Sequence, residues 1–143
     1  MFQKLKNKLK DQRGLTLIEL LAVIVILGII AAIAIPTISG VIDRSKDDAK
    51  VAEALQILDA ARLAHTDDST KTSWVYNSSA GAGVDKEPLS KYISKVKDKD
   101  FTVNYNATTN TFTITGHESA SVVKSTYNDS SVVTEDELAT AAR

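Results

Sequence analysis

From Leu20 to Ile35 the chain carries no polar side chain, so a helix built on that stretch has no face to give to water. Counted from Leu15 the stretch is 21 residues long, and its only polar members are Thr16 and Glu19. At about 1.5 Å of rise per residue it makes roughly 30 Å of helix, the thickness of the hydrocarbon core of a bilayer. Glu19 sets the harder constraint. A carboxylate at membrane depth costs about 2.5–3.5 kcal/mol on insertion scales and marks a functional site by default, so it needs a cationic partner. Lys4, Lys6, Lys8, Lys10 and Arg13 all precede the run, and such a basic flank stays on the cytoplasmic side. A cut after Gly14 would free an amine on Leu15, one helical turn from Glu19. The same amine on a neighbouring copy could then be the missing cation.

A short basic leader ending in Gly14, a following Leu15 Thr16 Leu17 Ile18 Glu19 and a long apolar helix with Pro36 just past it resemble the class III signal of type IV pilins and pseudopilins. The resemblance implies that a membrane peptidase cuts after Gly14 and N-methylates Leu15, that Glu19 guides subunit docking, and that Pro36 kinks the helix. It also implies partners: the prepilin peptidase/methyltransferase, a cytoplasmic assembly ATPase, an inner-membrane platform protein, membrane lipid before assembly, and further copies of the chain in a helical homopolymer. The implied location is the cell membrane as a single-pass precursor and then an extracellular surface filament. Leucine at position 15 departs from the phenylalanine usual in the family. The likeness covers residues 1–65, and beyond them it is architectural only.

Two plainer readings compete. A secretory signal peptide has a basic start, an apolar run and a small-residue cleavage site, which Ala32 Ile33 Ala34 imitate, but Glu19 is out of place in its apolar region. A simple membrane anchor would insert more easily without the acid.

The charge balance limits the partners. Losing residues 1–14 takes five of the 17 basic residues and one of the 18 acidic ones, so a formal net charge of −1 becomes −5. A mildly acidic exported part argues against direct nucleic-acid binding, which normally shows clustered Lys and Arg. The chain has no cysteine, so neither disulfides nor thiol chemistry is available. Many pilins of double-membraned bacteria close a C-terminal loop with a disulfide, and its absence leans towards a Gram-positive source.

The expected organisation is a leader at 1–14, an apolar membrane or filament-core helix at 15–36, an amphipathic helix at 37–65 and a β-rich head at 66–143. Val51, Ala54, Leu55, Leu58 and Ala61 recur at helical spacing and form a stripe that a sheet can cover. Asp43 with Lys46, Asp47 with Lys50 and Asp59 with Arg62 place an acid three residues before a base, a favourable order on a solvated face. Gly28 and Gly40 add places where the helix can be approached or bent. A linker at 66–72 leads to a short strand at Trp74 Val75 Tyr76. Gly81 and Gly83 flank a turn, and Pro88 opens a short helix containing Leu89, Tyr92 and Ile93. Phe101, Val103 and Tyr105 alternate with polar residues, as do Phe112 and Ile114, which predicts a hairpin closed by Asn106–Asn110. Val122, Val123 and Tyr127 suggest a third strand before a turn at 128–131, and Thr134 with Glu137 fits a capping box before a last helical turn. The fold class is therefore α+β, a long N-terminal helix packed on a small antiparallel sheet.

No catalytic constellation is present, so no enzymatic activity and no cofactor is expected. His65 and His117 stand apart without metal-ligand spacing and read as surface or helix-end residues. Asp67, Asp68, Asp98 and Asp100 form no recognisable calcium loop. The lysines between 86 and 99 are offset by neighbouring acids. Asn77, Asn106 and Asn128 each begin an Asn-x-Ser/Thr triplet, a frequent coincidence in a chain rich in Ser and Thr. The expected function is that of a major pilin in a filament assembled through the N-terminal helix, with adhesion, motility and DNA uptake as open roles. The alternatives are a pseudopilin of a type II secretion or competence machine and, from another class, a monomeric membrane-anchored binding domain.

Overall fold

The computed structural model describes the backbone of residues 2–76 and 86–143 and the side chains of residues 16–76 and 88–143. The chain forms two compact units, Met1–Asp43 and Arg44–Arg143. Helix α1 (Phe2–Asp67) supplies the first and enters the second. Its apolar half is rich in Ile and Val, which are indifferent helix formers in water. A helix nevertheless satisfies every backbone group within the segment, which an apolar stretch of this length needs wherever water cannot reach it. Pro36 lies inside α1 without ending it. Proline cannot supply the N–H that the Ala32 carbonyl would accept, and just after Pro36 two hydroxyls bond back to the helix: Thr37 Oγ1 donates to the Ile33 carbonyl and Ser39 Oγ to that of Ile35, both at 3.1 Å.

In the second unit α1 changes character. Val51, Ala54, Ile57, Leu58, Ala61 and Ala64 are buried, the spacing of a single helical face, while Gln56 and Asp59 stay exposed. The expected stripe is thus in place, with Ile57 added and Leu55 only partly buried at its margin. The helix runs two residues past His65, into the segment expected to be a linker. Thr66 Oγ1 donates to the Arg62 carbonyl at 2.9 Å there, and the turn that follows is tied by Asp68, whose Oδ1 accepts from the backbone N–H of Thr70 at 3.0 Å.

The stripe is covered by a five-stranded sheet in the order β2-β1-β3-β4-β5. Its strands are β1 (Ser73–Val75), β2 (Lys86–Pro88), β3 (Thr102–Asn106), β4 (Thr111–Thr115) and β5 (Val133–Thr134). The four from β1 to β5 through β3 and β4 are antiparallel, as expected. Edge strand β2 is instead parallel to β1. Pro88, which has no N–H to give the ladder, lies on that edge. The expected Gly81–Gly83 turn lies outside the described residues. Register puts Trp74 beside Val103, Val103 beside Ile114 and Ile114 beside Val133. That row crosses four strands with no residue more than 1% exposed. The β3–β4 turn uses two asparagines. Asn106 Oδ1 accepts from the Thr108 N–H at 2.9 Å, and Asn110 takes a φ of 54°, a left-handed geometry that asparagine tolerates better than most residues.

The expected strand at Val122 and Val123 is a helix. Helix α2 (Ala120–Val123) forms because the Ser119 carbonyl accepts from the N–H of both valines at 3.1 Å, and both valines lean on the core. The sheet edge they would have joined belongs to β5. Helix α3 (Glu135–Ala141) then starts at the anticipated capping box: Thr134 Oγ1 accepts from the Glu137 N–H at 3.4 Å, and Glu137 Oε2 accepts from the Thr134 N–H at 2.9 Å. Leu138 seals it on the core, fully buried.

Two substitutions test this packing in the full chain held in detergent micelles. Leu58 is fully buried, so Leu58→Ala should lower the unfolding free energy by about 2–5 kcal/mol, read as a lower denaturant midpoint. Thr134→Ala removes the cap acceptor and should cost about 1 kcal/mol, with hydrogen exchange rising first in α3.

Candidate functional site

Apolar surface left in the open is the main feature of the first unit. From Leu17 to Ile42 every large apolar side chain of α1 is at least 48% exposed. This is the one helix among the described residues long and apolar enough to cross a membrane, and none of its most apolar window is buried in the protein. The core helix of a water-soluble domain would show the reverse. Isolated exposed leucines are ordinary, but a contiguous apolar surface of this extent marks contact with lipid or with another protein.

Gly14, Leu15 and Glu19 all lie within α1. Glu19 follows Leu15 by four residues, about 6 Å along the axis at 1.5 Å per residue, and its side chain is exposed among the apolar ones. Pro36 sits within the exposed apolar stretch, at the hydroxyl-bonded turn described above. Among the described residues the helix therefore presents one acid near one end of an exposed apolar surface.

Several polar groups of the second unit that could have served a site are engaged within the fold. Asp98, considered above as a calcium ligand, accepts from the backbone N–H of Glu118 at 2.9 Å and of Asp100 at 3.0 Å. Tyr92 donates to Asp67 at 2.7 Å. Asn128 Oδ1 accepts from the Ser130 N–H at 3.1 Å, so Asn106 and Asn128 both serve turns, while Asn77 lies outside the described residues. Among the described residues no three His, Asp or Glu side chains converge as a metal site would need. Arg62 reaches from α1 to Glu135 at the start of α3, pairs with Asp59 at 3.1 Å and lies 5.5 Å from the centre of the Phe112 ring. The hydrogen bond to Glu135 raises the Arg62 pKa and holds that of Glu135 below the usual carboxylate range.

The histidines part company. His65, in the last turn of α1, is half-buried against Tyr105, with Trp74 and Phe112 edge-on, and its Nδ1 is 3.0 Å from the Lys71 carbonyl. His117 is not at the surface, contrary to expectation: it is 1% exposed. Its Nδ1 accepts from the Ser119 N–H at 3.1 Å and lies 2.9 Å from Ser119 Oγ. Its Nε2 has no hydrogen-bond partner and stands 3.7 Å from Glu53 Oε2 on α1. Burial pushes the imidazole below its ordinary pKa, against the pull of Asp98, Glu53 and Glu118. A lone histidine gives no periodic signal, so its sequence context could not reveal this. The nearest hint is Gly116, whose φ of 89° and tight approach to the Asp100 carbonyl leave no room for a Cβ; that turn sends the next side chain inward.

Residues 9–35 match the family model of the prokaryotic N-terminal methylation motif. No solved structure matches the chain. The match supports a type IV pilin-like, prepilin-like protein, one whose motif belongs to structural subunits rather than to an enzyme family. It ends at Ile35 and so includes Gly14, Leu15 and Glu19 but neither Pro36 nor the second unit.

Proposed function

We propose that this chain is the structural subunit of a type IV pilus-like surface filament, cleaved after Gly14, N-methylated on Leu15 and polymerised through the apolar half of α1. The observation that carries the reading is the wholly unburied apolar surface of α1 with Glu19 near its start, inside the matched methylation motif. Before assembly that surface has lipid against it. On assembly it moves into a bundle of the same helices from neighbouring copies, and the head remains outside. Lipid and leucine are equally apolar, so the transfer gains little hydrophobic energy and association rests on packing and on polar pairing between helices. Glu19 then supplies register. At 4 Å and an effective dielectric of about 20, its pair with a neighbour's Leu15 amine is worth about 4 kcal/mol before desolvation, and a subunit out of register keeps an uncompensated carboxylate. Pro36 and the hydroxyls of Thr37 and Ser39 after it give the helix a place to bend as it packs.

The processing machinery is the prepilin peptidase/methyltransferase, and the assembly ATPase with its membrane platform drives the transfer. A pseudopilin of a secretion or competence machine shares the motif and the mechanism, and differs in filament length and abundance. A monomeric anchored domain shares the helix but has no use for Glu19.

Two experiments decide among these readings. Mass spectrometry of the native protein should find Leu15 at the N-terminus with one added methyl group, and an intact leader in cells with an active prepilin peptidase overturns the processing step. Glu19→Gln keeps the size of the side chain and removes its charge, so the variant should insert and be cleaved normally while surface filaments become scarce by electron microscopy. Co-expression with wild type should restore some incorporation. A simple anchor gives the opposite result, because neutralising a carboxylate eases insertion and leaves function intact.

A further inference from the structure

We propose that His117 is a proton-operated latch, which in its neutral form holds the backbone of the turn leading into α2 and on protonation releases it. The argument begins with the tautomer. Nδ1 accepts from the backbone N–H of Ser119 at 3.1 Å, and a backbone amide cannot reverse its role. The ring proton of neutral His117 therefore sits on Nε2, 3.7 Å from Glu53 Oε2. A second proton has to go on Nδ1. There it meets the Ser119 N–H, donor against donor, and that bond must break. Ser119 Oγ, at 2.9 Å, can rotate from donor to acceptor, but the amide cannot.

The bond at risk anchors more than itself. Ser119 is the N-cap of α2 and its carbonyl accepts from the N–H of Val122 and Val123, so a displaced Ser119 backbone disturbs the whole short helix. Charged groups face the ring from each side. Glu53 comes from α1, Asp98 from the loop before β3, and Glu118 from the same turn, with Lys97 at 3.2 Å and Lys50 at 3.9 Å from Glu118. Glu53 also accepts the backbone N–H of Lys97, so one carboxylate touches both the loop and the histidine. Phe101 lies edge-on to the ring, 6.3 Å between centroids, and closes the apolar side. The three acids favour the imidazolium and burial opposes it, with burial the larger effect. The sign follows: the fold favours neutral His117, so the contact is held above the ordinary histidine value of about 6.5 and weakens as pH falls below it.

The test uses the full chain in detergent micelles, labelled with 15N. At pH 7.5 the His117 ring nitrogens should report the Nε2–H tautomer, with Nδ1 as the unprotonated nitrogen. Protection of the Ser119 amide, corrected for intrinsic exchange, should fall with pH below about 6.5 by up to about tenfold per unit, the limit for one proton. Glu53→Gln should leave the onset near pH 6.5 and extend the fall to lower pH, because the closed form loses one acid favouring the cation. His117→Gln should abolish the pH dependence of Ser119 while α3 keeps its protection. An Nδ1–H tautomer at pH 7.5, a Ser119 amide indifferent to pH in wild type, or a wild-type pH profile persisting in His117→Gln overturns the latch.

Discussion

One helix has to satisfy two environments, and the rest of the structure depends on how it does so. Between Leu17 and Ile42 α1 exposes apolar side chains on all sides, and from Val51 to Ala64 it buries a single stripe. The first stretch is insoluble by itself, since apolar area costs about 25 cal/mol per Å² when left in water. Lipid or a bundle of like helices can cover it. The second stretch is an ordinary amphipathic face whose partner, the sheet, is in the same chain. A change that weakened the stripe would loosen the head from α1 without touching the exposed apolar half.

Small size makes the head's own fastening matter. It has no disulfide to constrain its unfolded chain, and small domains bury a modest fraction of their surface. Its C-terminal segment is secured instead by noncovalent means: Leu138 in the core, the Thr134–Glu137 capping box, and Glu135 paired with Arg62 on α1. The Arg62 pair is partly exposed and worth at most about 1 kcal/mol. The leucine and the cap are therefore the larger contributions, and Arg62 adds direction by tying α3 to the helix that carries the stripe.

His117 brings a polar ring into this small core. An unpaired polar atom away from water carries a penalty of about 1–3 kcal/mol, and Nε2 of His117 is such an atom. Leucine at that place would pack without the penalty but could not hold the Ser119 amide. The neighbouring Gly116 turn and the Asp98 bonds to Glu118 and Asp100 make the site a fixed polar corner, where the charge state of one ring governs one backbone bond.

Local chemistry was legible wherever a short stretch of chain is sufficient cause. The apolar run with Glu19 at its start, the helical stripe, the Asn-closed hairpin and the Thr134–Glu137 box each depend on neighbours within a few residues, and a short stretch of sequence records them directly. Pairing decided by distant residues was not legible. The parallel setting of β2 leaves no mark in a three-residue stretch, and the helical state of Val122 and Val123 depends on β5 having taken the sheet edge. For the same reason the burial of His117 came only with the tertiary structure, because it takes Gly116 against Asp100, Phe101 on one side and Glu53 from a helix over sixty residues earlier to enclose a side chain that its own neighbours in sequence leave unspecified.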